Sequence, residues 1–98
     1  MKAYFVYVMT NRSGVVLYTG VTSSLERRMW FHGNTTAATF VKKYKLDVLV
    51  YYEVYSNPSD AIAREKQIKG WRREKKNALV ETLNPTRGDL GQRLFERE

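Results

Sequence analysis

The sequence predicts an α/β fold, a small three-stranded sheet flanked by helices, and three observations carry that expectation. Two runs rich in β-branched and aromatic residues, Tyr4-Phe5-Val6-Tyr7-Val8-Met9 and Leu17-Tyr18-Thr19-Gly20, are separated by the turn formers Asn11-Arg12-Ser13-Gly14. A third run, Leu46 to Tyr55, alternates Val48, Val50, Tyr52 and Val54 with Leu49, Tyr51, Glu53 and Tyr55. Segments with helical spacing and helix caps stand between and after these runs.

The first two strands, at about 3–9 and 15–21, are apolar on both faces, which calls for helices on both sides of the sheet. With Asn11 to Gly14 as the loop, the hairpin pairs Met9 with Val16, Tyr7 with Tyr18 and Phe5 with Gly20. Both phenols then share one face, and Gly20 leaves room beside them. Ser23 with Glu26 three residues on reads as a capping box, so a helix starts near Ser24 and runs to His32, where Gly33-Asn34 stops it. After the third strand, Asn57 caps and Pro58 opens a helix that carries Glu65. A break near Gly70 leads into a further helix from about Arg72 to Leu83, ended by Asn84-Pro85. Residues 1–85 are expected to form one domain and 86–98 a charged tail, with Leu90, Leu94 and Phe95 to dock it.

Composition narrows the function classes. A chain of 98 residues, 43% hydrophobic, supports a single core and no second folded unit. The absence of cysteine excludes disulfides and thiolate zinc sites and agrees with a reducing, cytoplasmic setting. No apolar run approaches the roughly 18 residues of a membrane span. The net charge of +7 favours a polyanionic partner. From Arg64 to Lys76 seven of thirteen residues are basic, and Lys42, Lys43 and Lys45 add a second basic segment. A charge run is most often a solvated helix face. Here it abuts Trp71 and lacks the apolar strip a membrane-surface helix needs, so phosphate contact is the preferred reading. The candidate nucleic-acid contacts are Arg27, Lys42, Lys43, Lys69, Arg72, Arg73 and Lys76.

Glu65 is the residue most in need of a partner. At about 100° per residue, Ala61 and Ile68 lie to one side of it and Ile62 to the other, which sets the carboxylate in the middle of an apolar face. Unpaired and buried there, it would cost several kcal/mol or protonate. An ion pair with Arg28, Lys69 or Arg72 satisfies it, and so does a hard divalent cation completed by water and phosphate oxygens. On the first helix Arg28 and His32 stand four residues apart on one flank. Arg28 suits a fixed planar cation gripping a phosphate. His32 is the one histidine of the chain and the natural proton carrier near neutral pH.

The order of these pieces resembles the GIY-YIG nuclease superfamily, in particular its small single-domain bacterial members, over nearly the whole chain. A tyrosine-bearing strand is followed by Tyr18-Thr19-Gly20, by Leu25-Glu26-Arg27-Arg28 on a helix, and by Glu65 on a later helix. The first two motifs read Phe5-Val6-Tyr7 and Tyr18-Thr19-Gly20 in place of Gly-Ile-Tyr and Tyr-Ile-Gly, keeping the tyrosines and the second glycine. The resemblance implies a metal-dependent endonuclease acting on DNA, with Glu65 as ligand of Mg²⁺ or Mn²⁺. It implies Tyr7 as general base, Tyr18 orienting the water or phosphate, Arg28 balancing charge on the phosphate and His32 relaying a proton. It further implies a supporting asparagine after the glutamate helix, for which Asn84 is chosen over Asn77. No organic cofactor is expected, and a weak homodimer is one of the open oligomeric states. Single-stranded, branched, damaged and duplex DNA all remain open as substrates. The rival readings are a non-catalytic nucleic-acid binding module that retains the nuclease fold and a basic interaction protein.

Overall fold

The computed structural model describes residues 2–34 and 46–94, without the side chains of 30–34 and 93. Three strands, β1 (Tyr4–Thr10), β2 (Leu17–Thr22) and β3 (Val48–Tyr55), form an antiparallel sheet in the order β2-β1-β3. Helix α1 (Leu25–Asn34) follows β2, and α2 (Pro58–Lys69), α3 (Arg73–Leu83) and the short α4 (Leu90–Leu94) follow β3. As the central strand, β1 buries every residue from Val6 to Thr10. This explains why its sequence is apolar at odd and even positions alike.

The hairpin register differs from the sequence expectation by two residues. Tyr7 pairs with Gly20, Met9 with Tyr18 and Phe5 with Thr22. The cause is a longer loop, 11–16, held by the Asn11 side chain. Its Oδ1 accepts from the backbone N–H of Val15 at 3.0 Å and Val16 at 3.3 Å, while the Thr10 hydroxyl donates to the Val16 carbonyl at 2.7 Å. Gly14 takes φ 73°, the left-handed conformation a glycine adopts without strain. Because side chains alternate with period two, a two-residue slip leaves Tyr7 and Tyr18 on the same face.

A bulge on β3 corrects a second expectation. Val8 pairs with Tyr51 but Met9 pairs with Leu49, so Val50 is an extra residue. The strict alternation therefore breaks, and Leu49 joins the face of Tyr7, Met9 and Tyr52, while Val48 and Val50 join Val8 and Tyr51. On the first of these faces Leu25 and Met29 of α1 and Leu90 of α4 complete the core. On the other, Val80 of α3 packs with Val8 and Val50, and Ala61 and Ile68 of α2 pack on Val6. Burying side chains of this size stabilises by about 1.5–3 kcal/mol each.

The helix starts follow their caps. Ser24, not Ser23, caps α1, its hydroxyl accepting from the Arg27 N–H at 3.2 Å. The helix continues through Gly33 to Asn34. Asn57 caps α2 as expected, accepting from the Ser59 N–H at 2.7 Å with Pro58 at the first helical position. The boundary expected at residue 85 does not divide the structure. Asp89 Oδ1 accepts from the N–H of Leu49 at 3.2 Å and of Gly91 at 3.0 Å, and Leu90 is buried in the core. The described part of the expected tail therefore belongs to the domain; Phe95 lies outside the described residues. No helix among the described residues is long and apolar enough to cross a membrane.

Candidate active site

Tyr7 and Tyr18 meet on one face of the β1–β2 hairpin, their ring centroids 6.2 Å apart and their planes inclined by 43°. Gly20, cross-strand from Tyr7, makes this arrangement feasible. A Cβ there would lie 2.5 Å from the Tyr7 hydroxyl oxygen and 2.6 Å from the carbon bearing it, closer than any real contact. The ring of Tyr7 thus lies over the glycine and is buried to 1% exposure.

Burial pushes the Tyr7 hydroxyl well above the ordinary phenol range, and the neighbouring Tyr18 adds to this through charge and a hydrogen bond. Arg28 pulls it down, and Glu65 pushes it further up. Tyr7 is consequently a protonated phenol at neutral pH. Desolvation outweighs the pull of Arg28.

The groups acting on Tyr7 of β1 come from three other elements: Tyr18 on β2, Arg28 on α1 and Glu65 on α2. The Glu65 side chain is 14% exposed, and its Oε2 lies 3.0 Å from Lys69 Nζ one turn along the helix. Of the three partners the sequence allowed for Glu65, the structure therefore selects Lys69. The same ammonium stands 6.0 Å from the centroid of the Tyr18 ring. Lys69, expected on the nucleic-acid surface, is thus a neighbour of the site groups.

Among the described residues no group of three His, Cys, Asp or Glu side chains gathers to hold a metal ion. A cation at this site would have Glu65 as its protein carboxylate and would take its remaining ligands from water and substrate oxygens. That donor set fits Mg²⁺ or Mn²⁺, hard ions that keep several waters. Lys69 shows that positive charge is accommodated beside the carboxylate, and its half-exposed side chain is free to yield the position.

The remaining candidates divide clearly. Arg27 and Arg28 line a hollow of about 240 Å³ with Thr22, Ser23 and Ser24 at the start of α1. His32 belongs to α1, one turn beyond Arg28, and its side chain lies outside the described residues. Lys42 and Lys43 also lie outside them. Arg72 is exposed at the start of α3, Arg73 donates from Nη2 to the Gly14 carbonyl at 3.0 Å, and Lys76 is half-buried.

Asn84 requires correction. It ends α3 at 2% exposure, and its Nδ2 donates to the carbonyls of Val50 at 3.1 Å and Gly88 at 2.8 Å. It is therefore a clamp on β3, the sheet edge opposite the β2 edge that carries Tyr18. Asn77 is no substitute, since its Oδ1 accepts from Arg87 at 3.0 Å. Both asparagines tie down the C-terminal segment, which the sequence reading had treated as tail and so could not supply as a partner.

A polar cluster on the opposite face of the sheet escaped the sequence reading. Glu53, cross-strand from Val6, accepts from the hydroxyls of Tyr51 at 2.5 Å and Tyr55 at 2.6 Å. Arg64 of α2 donates to the same carboxylate, Nε at 3.0 Å to Oε1 and Nη2 at 3.0 Å to Oε2. Burial alone would raise the Glu53 carboxyl, but Arg64 and the two hydroxyls outweigh it and hold the group below its ordinary range. Tyr51 is pushed up by burial and then by Glu53. The available signal was a lone carboxylate at the i±2 position from two tyrosines in an apolar strand, with Arg64 one residue from Glu65.

Comparison with known proteins places this fold in a family. The model of the GIY-YIG catalytic domain matches residues 3–77. The chain belongs to the GIY-YIG family. A UPF0213 protein of Staphylococcus haemolyticus is 35% identical over 81 residues, covering 83% of this chain and 98% of the relative. A UPF0213 protein of Staphylococcus saprophyticus is 34% identical over 80 residues, covering 82% and 96%. The solution NMR structure of the UPF0213 protein BH0048 from Bacillus halodurans superposes with a TM-score of 0.58 at 23% identity, covering 92% of this chain and 95% of that one, and shares the fold.

Proposed function

We propose that the protein is a divalent-metal-dependent endonuclease that hydrolyses phosphodiester bonds in DNA. The observation that carries this reading is the packing of Tyr7 against Tyr18 over Gly20, with Arg28 and Glu65 from two further elements near enough to bear on the Tyr7 hydroxyl. A purely structural aromatic pair needs neither an arginine nor a nearly buried carboxylate beside it.

Glu65 would hold Mg²⁺ or Mn²⁺, which when bound supplies Lewis-acid charge at the phosphate. Arg28 grips a non-bridging phosphate oxygen and stabilises the charge that builds there. The paired tyrosines orient the attacking water. Tyr7 is the proposed base, and because burial and Tyr18 raise its hydroxyl against the smaller opposing pull of Arg28, that role requires further positive charge from the substrate-bound site. The exposed Arg72 and half-buried Lys76 on α3 and the exposed Arg27 on α1 offer sequence-independent contacts to the backbone. His32 remains the proposed proton relay.

The test is a cleavage panel of single-stranded, duplex, flap and four-way DNA with Mg²⁺ or Mn²⁺, run on the wild type and on Glu65→Gln. Metal-dependent cleavage that disappears in Glu65→Gln is the expected result. A wild-type protein that binds these substrates but cleaves none of them with either ion overturns the catalytic reading in favour of a binding module.

A further inference from the structure

Helix α2 has two polar flanks, and they face different strands. Ala61 and Ile68, two turns apart and both fully buried, mark the line along which the helix rests on Val6. Arg64 and Glu65 stand on opposite sides of that line, about 100° apart around the axis. The Arg64 side reaches Glu53 on β3. The Glu65 side reaches toward β2, where its partner Lys69 lies over Tyr18.

The Arg64 flank is fixed in every direction that matters for rotation. Its guanidinium forks onto both oxygens of Glu53, its Nη1 donates to Gln67 at 2.8 Å, and its Cζ lies 5.1 Å from the centroid of the Trp71 ring. Glu53 is in turn anchored by the hydroxyls of Tyr51 and Tyr55. The apolar contacts of Ala61 and Ile68 set how close α2 lies to the sheet. The forked ion pair resists rolling, because a bidentate guanidinium–carboxylate contact has one orientation.

We infer that Glu53 and Arg64 are positioning residues that lock the roll of α2 and thereby set where the Glu65 carboxylate stands relative to Tyr7, Tyr18 and Arg28. The inference rests on the reading of Glu65 as metal ligand and adds residues to it that touch neither substrate nor metal. A ligand displaced by a fraction of a turn loses affinity, and changes to residues that orient a metal ligand typically cost 10–100-fold.

The experiment measures Mn²⁺ binding to the whole chain directly, by the decrease in the electron paramagnetic resonance signal of free Mn²⁺, for wild type, Glu53→Gln, Arg64→Lys and Glu65→Gln. Circular dichroism establishes that each variant is folded. The expected result is Glu65-dependent Mn²⁺ binding that is weakened about tenfold in Glu53→Gln and in Arg64→Lys. The Mn²⁺ concentration for half-maximal cleavage should rise by the same factor. Arg64→Lys keeps the charge but loses the fork, so it serves alone if Glu53→Gln does not fold. A folded Arg64→Lys that binds Mn²⁺ as tightly as wild type while melting at a lower temperature overturns the lock and leaves the metal reading intact. Mn²⁺ binding that is absent, or unchanged in Glu65→Gln, overturns the metal reading and the lock with it.

Discussion

The two flanks of α2 carry adjacent residues of opposite charge and opposite character. Arg64 is held by several partners at once: hydrogen bonds to both oxygens of Glu53 and to Gln67, and the Trp71 ring. Glu65, the more buried of the two, has an ion pair to a half-exposed lysine, a contact of the kind worth only about 0.3–0.5 kcal/mol. The difference separates a group that holds the fold from one that can exchange its partner. A buried polar group with all its bonds made rigidifies its surroundings. A carboxylate held by one mobile cation can trade that cation for another.

The comparison is broken most severely at Glu65 itself. Glu65→Gln removes the charge at nearly constant volume, so cleavage should vanish while the circular dichroism spectrum and DNA affinity stay those of wild type; retained cleavage in a contaminant-free preparation rejects the assignment. Next in size is Arg28→Ala, which should lower the rate by roughly 10² to 10³, the scale of removing one preorganised donor, with little change in DNA binding. A shift in binding alone would make Arg28 a docking residue.

Gly20→Ala tests the floor of the site through stability. The new Cβ would press on the hydroxyl end of a rigid, buried ring, so the hairpin or Tyr7 must move. The expected cost is about 1–3 kcal/mol in denaturant unfolding, with separation of the Tyr7 and Tyr18 rings. Changing Arg72 and Arg73 together to alanine should weaken DNA binding and reduce its salt dependence by about 0.7–0.9 log units for every phosphate no longer neutralised, leaving the rate at saturating DNA intact.

The smallest effect sharpens the other flank. Glu53 has a folded acidity constant below its ordinary value of 4.5, so its contribution is present above that pH and disappears as pH falls through the folded value. Acid unfolding below about pH 4.5 should therefore be shallower in Glu53→Gln than in wild type. Identical acid limbs would mean that other carboxylates dominate.

How much of this was legible in advance varied with the range of the contact involved. Strands, helices and the caps at Asn57-Pro58 follow from neighbours a few residues away, and so does the shared face of Tyr7 and Tyr18, which survives a register error because that error was even. The register itself depended on Asn11 reaching Val15 and Val16, a loop geometry that no run of turn formers specifies. The bulge at Val50 reversed part of β3, since an apolar strand reads equally well in either phase. Asn84 was placed at the site by resemblance alone, without knowledge of the chain segment that folds back to claim its amide.

By itself the sequence determined the element types, the basic composition and the set of candidate site groups, because composition and periodicity are local properties. Only the tertiary structure decided which of those groups lie together. Lys69 of the basic run pairs with Glu65, Arg64 of the same run forks onto Glu53, and burial raises the Tyr7 hydroxyl. The last two outcomes turn on desolvation and on a partner from another element, and neither quantity exists until the chain has folded.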